Sequence, residues 1–333
     1  MPLELALSLR AGTCLLLFTC ARTRQPFGRH YTHIQRAVEV KLLLTLQAAA
    51  VLVVKLRSSG TGAARSIESL PVNPVNNEGS VRRSQAPANY EPWAATARPP
   101  ALTGNEVHVW RATLARPAAR VAELYALLSS EERNRAARFR FRRDQEQFIV
   151  ARGVLRQLLG TYLDRPPADL TFAYSAYGKP ALGGEAGPHP LRFNLAHSHA
   201  LALYAFALGF EVGVDLEYIR ADFGGERIAE RFFSAREVTT LLTIDASSQT
   251  EAFFNCWTRK EAYIKALGEG LSHPLDSFTV SMRPGEPAAL LSVEGGEGEL
   301  TRWLLRELDA APGYAAALVV ERRDWELTCF EWA

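Results

Sequence analysis

Alternation of hydrophobic and polar positions at one place, and short apolar runs at several others, predict β-strands in the last two thirds of the chain. Val107 and Val109 fall on alternate positions of residues 106–111, the period of a strand with one buried face. Apolar runs at Leu201–Leu208 and Val212–Glu217 predict two strands joined by a turn at Gly209. Four further strand-like runs follow towards the end of the chain, namely Phe278–Met282, Ala289–Val293, Ala315–Val320 and Leu327–Trp332.

Helix starts are marked by three capping boxes, in which a serine is followed three residues later by a glutamate. They lie at Ser129–Glu132, Ser234–Glu237 and Ser248–Glu251. Two helices, over about 130–140 and 143–161, follow the first box, and the third box predicts a helix that ends near Gly268. Because the strands and helices do not alternate strictly, residues 105–333 are expected to form an α+β fold.

The pattern of elements also suggests an internal duplication. A long helix followed by strands is predicted in each half, at 143–161 and at 249–267. Aligning Gly160 with Gly268 gives an offset of 108 residues and places Arg152 opposite Lys260. The match is weak in sequence, but it is compatible with a repeated architecture.

Charge divides the chain into a basic leader and a mildly acidic body. Residues 1–100 hold 12 Lys and Arg against 5 Glu, whereas residues 101–333 hold 26 basic and 31 acidic side chains. The apolar stretch Leu42–Val54 is shorter than the roughly 20 residues of a membrane-spanning helix. Residues 58–100 are rich in Gly, Ser, Asn, Pro and Arg, which is typical of disorder or a linker. The leader is therefore interpreted as an extension; a targeting or membrane role is the alternative.

Composition excludes several classes of protein. A net charge of +2 over 333 residues does not favour a nucleic-acid binder. The four cysteines, Cys14, Cys20, Cys256 and Cys329, form no CxxC pair, so neither a zinc site nor a redox motif is indicated. A reducing, cytoplasmic location fits this pattern best.

Two carboxylates in the run Gly213–Glu217 are the first candidate for chemistry. Residues i and i+2 of a strand share a face, so Asp215 and Glu217 are expected to project together while Val214 and Leu216 face the core. Crowded carboxylates repel each other unless a cation joins them, and Mg²⁺ is a suitable partner because it prefers oxygen ligands. The alternative is a solvated strand face.

The predicted helix that ends near Gly268 carries a second candidate. Trp257, Glu261 and Lys265 lie four residues apart and therefore on one stripe of the helix. The alternative is an ordinary surface Glu–Lys pair. Lysine usage favours the functional interpretation, because only five lysines accompany 33 arginines and just three, Lys179, Lys260 and Lys265, lie in the body. Compact ammonium groups are typical of phosphate sites.

A histidine before the strand Leu201–Leu208 is the third candidate. His197, in the run Phe193–Ser198, is placed either to hold a phosphate or to cap a strand end. His199 lies two positions further on and is expected on the same face, so spacing does not choose between the two histidines.

These segments together resemble the surfactin-type 4′-phosphopantetheinyl transferases. The resemblance covers about residues 105–333 and rests on four elements in order: Tyr177–Pro180, Asn194–Ser198, Gly213–Glu217 and Trp257–Leu271. One departure is Ala196, where the family usually has a serine before its motif histidine. The resemblance implies a pseudo-twofold pair of α+β halves, here 105–210 and 211–333, with the site between them.

The resemblance also implies an activity and its partners. Members of the family move the phosphopantetheine arm of coenzyme A onto a serine of an acyl or peptidyl carrier protein and release 3′,5′-ADP. A monomer that needs coenzyme A, an apo carrier protein and Mg²⁺, but neither nucleic acid nor membrane, is therefore expected.

Roles are carried over from the family by motif position. Asp215, Glu217 and Glu261 correspond to the Mg²⁺ ligands, and Lys260 and Lys265 correspond to lysines that face the pyrophosphate. Glu261 is also the expected base for the serine proton, with Lys265 as the second catalytic residue. Expected coenzyme A contacts are Lys179, His197 at the 3′-phosphate and, less directly, Arg135.

Two other functions are compatible with parts of the pattern. Another Mg²⁺-dependent phosphoryl or phosphodiester enzyme would also use paired carboxylates, but it would leave the segment Tyr177–Pro180 unexplained. A non-catalytic module that binds carrier proteins or coenzyme A would be expected to lack part of the carboxylate set, and Asp215, Glu217 and Glu261 are all present.

Overall fold

The computed structural model describes residues 93–96, 99–183, 190–220, 223–322 and 324–333. Nearly all of the predicted leader, including the apolar stretch Leu42–Val54, lies outside the described residues. None of the described helices is both long and apolar enough to cross a bilayer.

The first half of the body is built from a strand, three helices, a short hairpin and two longer strands. The Ser129 capping box starts one of the helices, as the sequence predicts, whereas the other two begin without a side-chain cap. Strand β1 (Ala94–Ala95) comes before them. In chain order they are β2 (Glu106–Thr113), α1 (Ala118–Ala126), α2 (Ser130–Ala136), α3 (Arg142–Leu163), β3 (Phe172–Tyr174), β4 (Pro180–Leu182), β5 (Leu191–Ser198) and β6 (Leu201–Leu208).

The second half repeats this order with one short extra helix before its last strands, and then adds one strand. Its elements are β7 (Val212–Tyr218), α4 (Glu226–Phe232), α5 (Ala235–Leu242), α6 (Ala246–Leu267), β8 (Thr279–Val280), β9 (Leu290–Ser292), α7 (Glu297–Arg302), β10 (Leu304–Glu307), β11 (Tyr314–Val320) and β12 (Glu326–Glu331). The predicted α+β class is confirmed. The two predicted strands nearest β8 and β9 are shorter than expected.

Two sheets carry the repeat. The strands β5, β6 and β2 are neighbours in the first sheet, and β10, β11 and β7 have the same relation in the second. One face of β2 and one face of β7 lie in a shared core between the sheets, which contains Val109 and Val214. Helix α3 covers the outer face of the first sheet, with Trp110 and Leu155 in its core. Helix α6 covers the second sheet, so the body has four layers: helix, sheet, sheet and helix.

The repeat offset predicted from glycines, 108 residues, is wrong. Helices α3 and α6 each have 22 residues, and both end in a left-handed residue, Asp164 and Gly268, which are 104 positions apart (268 − 164). The two capping boxes, Ser129–Glu132 and Ser234–Glu237, are confirmed, and they precede these helices at nearly the same offset. Gly160 is not the counterpart of Gly268, because it lies inside helix α3. Its missing Cβ allows close packing against Arg165 and Pro167.

The third predicted capping box is also wrong. Helix α6 begins at Ala246, after Asp245, so Ser248 already lies in its first turn. The amide of Ser248 donates to the carbonyl oxygen of Asp245, and no side chain caps this helix start. The Ser-x-x-Glu pattern at Ser248 therefore falls inside the helix.

The second half contributes its last strand to the sheet of the first half. Strand β12 leaves the second half and pairs in parallel with β2, and β1 pairs in parallel with β12. Trp93 also binds the body, because its indole Nε1 donates to the carbonyl oxygen of Asp309 at 2.7 Å and its ring lies 4.6 Å from the Arg111 guanidinium. The described end of the predicted leader therefore belongs to the first sheet.

Candidate active site

Strand β7 holds two carboxylates on the face that meets helix α6. Asp215 is buried and Glu217 is half-buried, while Val214 and Leu216 lie in the core between the sheets. Gly213 shares the face of the carboxylates: a Cβ there would lie 2.1 Å from the carbonyl oxygen of Ala262. Glycine at this position therefore lets α6 approach β7 closely, which brings the helix side chains to the carboxylates.

Helix α6 supplies Glu261 and Lys265 to the same place. The Lys265 ammonium donates to Asp215 Oδ1 at 2.5 Å and to the carbonyl oxygen of Val214 at 3.2 Å. Glu261, one turn earlier, is only 5% exposed. Glu261 and Lys265 are therefore turned towards the carboxylates of β7, while Trp257 packs in the hydrophobic core of the second half. With Glu261 buried and Lys265 23% exposed, they do not form an ordinary surface pair.

The electrostatics show that three carboxylates surround one ammonium. Burial, with Asp215 and Glu261 nearby, raises the pKa of Glu217 to about 7, although Ser198 and Lys265 act in the opposite direction. Burial opposes the charged form of Lys265, but the carboxylates of Asp215, Glu261 and Glu217 more than offset it and raise the pKa of that ammonium. If all three acids are ionised, the cluster has one positive and three negative charges, which favours a further cation.

These residues offer suitable atoms for a divalent cation. Asp215 Oδ2 is buried and has no hydrogen-bond partner among the described side chains and backbone groups. Such an oxygen is costly to bury, and a hard cation such as Mg²⁺ would satisfy it. Within the described ranges no three Asp, Glu, His or Cys side chains already form a metal-binding group. The carboxylate oxygens of Asp215, Glu217 and Glu261 are therefore of the kind that Mg²⁺ prefers, while the cation bound to Asp215 in the structure is the Lys265 ammonium.

Two polar residues of β5, which had no predicted role of their own, bind strand β7 at this site. Ser198, the last residue of β5, donates from Oγ to Glu217 Oε2 at 2.8 Å and accepts from the amide of Tyr218 at 3.1 Å. Asn194 Oδ1 accepts from the amide of Val214 at 3.0 Å and so joins β5 to β7. Their spacing of four on one strand was the available signal, because it places both side chains on the same face.

The two histidines separate at the end of β5. His197 is exposed on the face opposite to Ser198. His199 leaves the strand with a φ of 52°, and its ring stacks on Tyr218 at 4.7 Å between centroids. The expectation that both histidines share a face is therefore wrong, because the left-handed turn residue breaks the strand alternation.

Arg135 lies apart from the carboxylates, on α2. It is exposed and lines a cavity of about 210 Å³ together with Arg152, Tyr174 and Gly178. Gly178 belongs to the turn between β3 and β4 that also carries Lys179. The cavity thus brings two arginines and two glutamates, Glu131 and Glu132, next to the segment Tyr177–Pro180.

Lys179 points away from this cavity into the junction between the halves. Its ammonium donates to Glu211 Oε2 at 2.7 Å and to the carbonyl oxygen of Ala266 at 3.0 Å. The side chain is 15% exposed. The structure therefore shows Lys179 bound to protein groups.

Lys260 does not join the site. Its fully buried ammonium pairs with Glu237 at 2.8 Å and donates to the carbonyl oxygens of Leu275 and Phe278, both at 2.6 Å. Arg156 makes the equivalent set of bonds in the first half, since it pairs with Glu132 at 2.6 Å and donates to the carbonyl of Leu170. The predicted contact of Lys260 with pyrophosphate is not supported, because the repeat gives this position a structural ion pair in both halves.

Comparison with known proteins agrees with this arrangement. The family model of the 4′-phosphopantetheinyl transferase superfamily matches residues 211–319. A second family model, for the N-terminal part of 4′-phosphopantetheinyl transferases, matches residues 110–207. The chain is 38% identical to the 4′-phosphopantetheinyl transferase HetI of Nostoc over 231 residues, which cover 69% of this chain and 94% of HetI. The chain therefore belongs to the 4′-phosphopantetheinyl transferase superfamily.

Further similarities are lower. The 4′-phosphopantetheinyl transferase Sfp of Bacillus subtilis is 29% identical over 200 residues, which cover 60% of this chain and 85% of Sfp. The crystal structure of Thermotoga maritima holo-[acyl-carrier-protein] synthase is 27% identical, covers 34% of this chain and 64% of its own, and has a TM-score of 0.27.

Proposed function

We propose that this protein transfers the 4′-phosphopantetheine arm of coenzyme A to a serine of an apo acyl or peptidyl carrier protein and releases 3′,5′-ADP, with Mg²⁺ as cofactor. The observation that carries the proposal is the group of Asp215, Glu217, Glu261 and Lys265 on the facing sides of β7 and α6. It is supported by membership of the superfamily and by relatives that are named 4′-phosphopantetheinyl transferases.

Three carboxylates would hold the metal ion. Asp215, Glu217 and Glu261 offer hard oxygen atoms, and one of them, Asp215 Oδ2, is buried without a hydrogen bond among the described groups. When bound, Mg²⁺ supplies positive charge that offsets the negative charge of the pyrophosphate.

The chain's own side chains complete the reaction. The serine Oγ attacks the β-phosphorus of coenzyme A, the bond from that phosphorus to the bridging oxygen breaks, and 3′,5′-ADP leaves with the electron pair. Glu261 accepts the serine proton, because a buried carboxylate at the site is a competent general base. Lys265 places an ammonium where charge develops on the phosphate oxygens.

Recognition of the nucleotide end of coenzyme A is assigned to cations of the first half. Arg135 is exposed and lines the cavity with Arg152, whose buried guanidinium pairs with Glu132 at 2.7 Å, so Arg135 is the proposed donor for phosphate oxygens. His197 is exposed at the end of β5 and is the proposed contact of the 3′-phosphate. Because both halves are present in one chain, the site needs no second subunit, so we propose a monomer. We also propose that it acts in the cytoplasm, where the free thiols Cys256 and Cys329 would stay reduced.

Intact-mass analysis tests the proposal. An apo carrier protein is incubated with this chain, coenzyme A and Mg²⁺, and the carrier is expected to gain one phosphopantetheine group. Chelation by EDTA is expected to stop the gain, and added Mg²⁺ to restore it. Glu261→Gln keeps the side-chain volume and serves as the matched inactive control. The proposal fails if the folded chain modifies no acyl or peptidyl carrier under these conditions.

A further inference from the structure

Two side chains of strand β5 close the edge of the second sheet next to the carboxylate site. Among the described strands, β7 is at the edge of that sheet, and it lies beside β5 of the first half. The amides of Val214 and Tyr218 donate to β5 side chains there, to Asn194 Oδ1 at 3.0 Å and to Ser198 Oγ at 3.1 Å. These two side chains therefore take the place of a neighbouring strand.

Ser198 differs from Asn194 because its hydroxyl also binds a carboxylate. Ser198 Oγ donates to Glu217 Oε2 at 2.8 Å. A backbone amide can only donate, so the amide of Tyr218 occupies a lone pair of the hydroxyl and directs its proton to Glu217. Within the described residues, the Asn194 side chain bonds to the Val214 amide and to no carboxylate. Of the two, only Ser198 therefore acts on a side chain of the site.

The end of β5, where Ser198 lies, is held in place from two sides. Gln147 on α3 donates from Nε2 to the carbonyl oxygen of His199 at 2.7 Å. The ring of His199 stacks on the ring of Tyr218, with the centroids 4.7 Å apart. His199 has a φ of 52°, a conformation that a residue with a Cβ adopts at a cost, so these contacts are needed to keep the turn. The Ser198 hydroxyl is thus presented from a defined position.

Glu217 is the carboxylate of the site that most needs such a partner. Asp215 is buried and bound by Lys265 at 2.5 Å, and Glu261 is 5% exposed, whereas Glu217 is half-buried near the end of β7. A glutamate side chain has three rotatable bonds, and an unheld carboxylate would lose their freedom when it binds a cation. The bond from Ser198 restricts this freedom before any cation arrives.

We propose that Ser198 is a positioning residue that orients Glu217 as a ligand of the divalent cation. The inference rests on the proposed function, because that function assigns the cation to Asp215, Glu217 and Glu261. Hydrogen-bond partners behind a metal ligand typically change metal affinity by about 10–100-fold. Ser198 therefore sets the concentration of Mg²⁺ that the protein needs, and it does so through Glu217.

Binding of Mn²⁺ to the full chain, without coenzyme A or carrier protein, tests this role directly. Mn²⁺ prefers the same oxygen ligands as Mg²⁺, and its free form is measured by electron paramagnetic resonance. Ser198→Ala is expected to raise the Kd for Mn²⁺ about 10- to 100-fold. Glu217→Gln, which removes the charge of the ligand itself, is expected to raise it at least as much. An unchanged Kd in Ser198→Ala, or no binding of Mn²⁺ by the wild type, would overturn the proposal.

Ser198→Thr is the matched control for the hydroxyl group. Threonine keeps an Oγ on its Cβ and is favourable in a strand, so this variant is expected to bind Mn²⁺ like the wild type. A loss of affinity as large as that of Ser198→Ala would mean that the hydroxyl is not the cause, and would overturn the proposal.

Asn194→Ala is the control for the edge of the sheet. It removes the other side chain that accepts an amide of β7, but it leaves the bond from Ser198 to Glu217 in place. Its Kd for Mn²⁺ is expected to stay close to the wild-type value, with circular dichroism as the check of folding. Equal losses in Asn194→Ala and Ser198→Ala would show that closing the edge is what matters, and would overturn the proposal. If Asn194→Ala does not fold, the alanine and threonine variants of Ser198 still decide.

Steady-state kinetics with a carrier protein give a second readout. In Ser198→Ala, the Mg²⁺ concentration for half-maximal rate is expected to rise by the same factor as the Kd for Mn²⁺, while kcat at saturating Mg²⁺ stays near the wild-type value. A lower kcat at saturating Mg²⁺ with an unchanged Mg²⁺ requirement would overturn the proposal. Failure of the wild type to modify a carrier would instead refute the proposed function, and the Mn²⁺ measurements would still decide the role of Ser198.

Discussion

Lys260→Met distinguishes the buried lysine from the lysine of the site. Lys260 is completely buried, and its ammonium has one carboxylate and two carbonyl oxygens as partners, at 2.6 to 2.8 Å. Methionine fills a similar volume but leaves Glu237 without its cation and two carbonyl oxygens without a donor. Removing one partner of a buried ion pair costs about 3–5 kcal/mol. We expect the free energy of unfolding to fall by that amount.

This cost is large compared with the total stability of a domain. Domains of ordinary size unfold with about 5–15 kcal/mol, so Lys260→Met should shift the urea midpoint clearly. Glu237 also accepts from the amides of Ser234 and Val280, so it cannot simply turn towards solvent. The assay is equilibrium unfolding in urea, followed by far-ultraviolet circular dichroism and tryptophan fluorescence.

A second variant checks that the ion pair is the cause. Glu237→Gln keeps the length of the side chain and its ability to accept at the helix start. The double variant Lys260→Met, Glu237→Gln is expected to be less unstable than the summed single variants, because neither charge is then left alone. Wild-type stability in Lys260→Met, together with a raised KM for coenzyme A, would refute the structural role and restore Lys260 as a ligand contact.

Three further predictions concern the site and the edge of the fold. Lys265→Ala is expected to keep the fold, since the side chain is 23% exposed, but to lower kcat and raise the KM for coenzyme A, measured by the carrier mass assay; wild-type kinetics would contradict its role. The pKa of Glu217 is about 7 in the folded protein against an ordinary value of 4.5, so the metal-free protein loses stability as the pH rises through that range. Glu217→Gln should therefore raise Tm more at pH 8 than at pH 4. An equal change in Tm at both pH values would argue against charge crowding. Deleting residues 1–100 should lower the free energy of unfolding by about 1–2 kcal/mol relative to deleting residues 1–92, because it removes the indole hydrogen bond of Trp93 and its contact with Arg111. Equal stability of the two truncated proteins would show that β1 adds nothing to the stability of the fold.

Local sequence determined most of the elements and the identity of the chemistry. Alternating positions predicted β2 and β7 closely, because the period of a strand is fixed by its backbone, and continuous apolar runs predicted the almost fully buried strands β6 and β11. Two Ser-x-x-Glu boxes predicted the starts of α2 and α5, because the capping bonds are made within four residues. The third box failed because the same four letters also occur inside a helix, where nothing local distinguishes them.

Family membership was likewise readable from the sequence. Gly213, Asp215 and Glu217 lie on alternate positions of one strand, and Glu261 and Lys265 lie one helical turn apart. These spacings predict shared faces that the structure retains, because they depend only on the repeat of a strand and of a helix.

Only the tertiary structure decided which of the polar residues act together. Helix α6 is buried on nearly every side, from Ala252 to Ile264, so no polar stripe shows which side faces β7. Lys260 and Lys265 therefore look alike in sequence, yet one closes a core ion pair and the other meets Asp215. Lys179, Asn194 and Ser198 reach their partners across 19 to 87 positions, which no local pattern records. Packing of the two halves fixes these contacts, because a buried polar group must find its partner wherever the fold brings one.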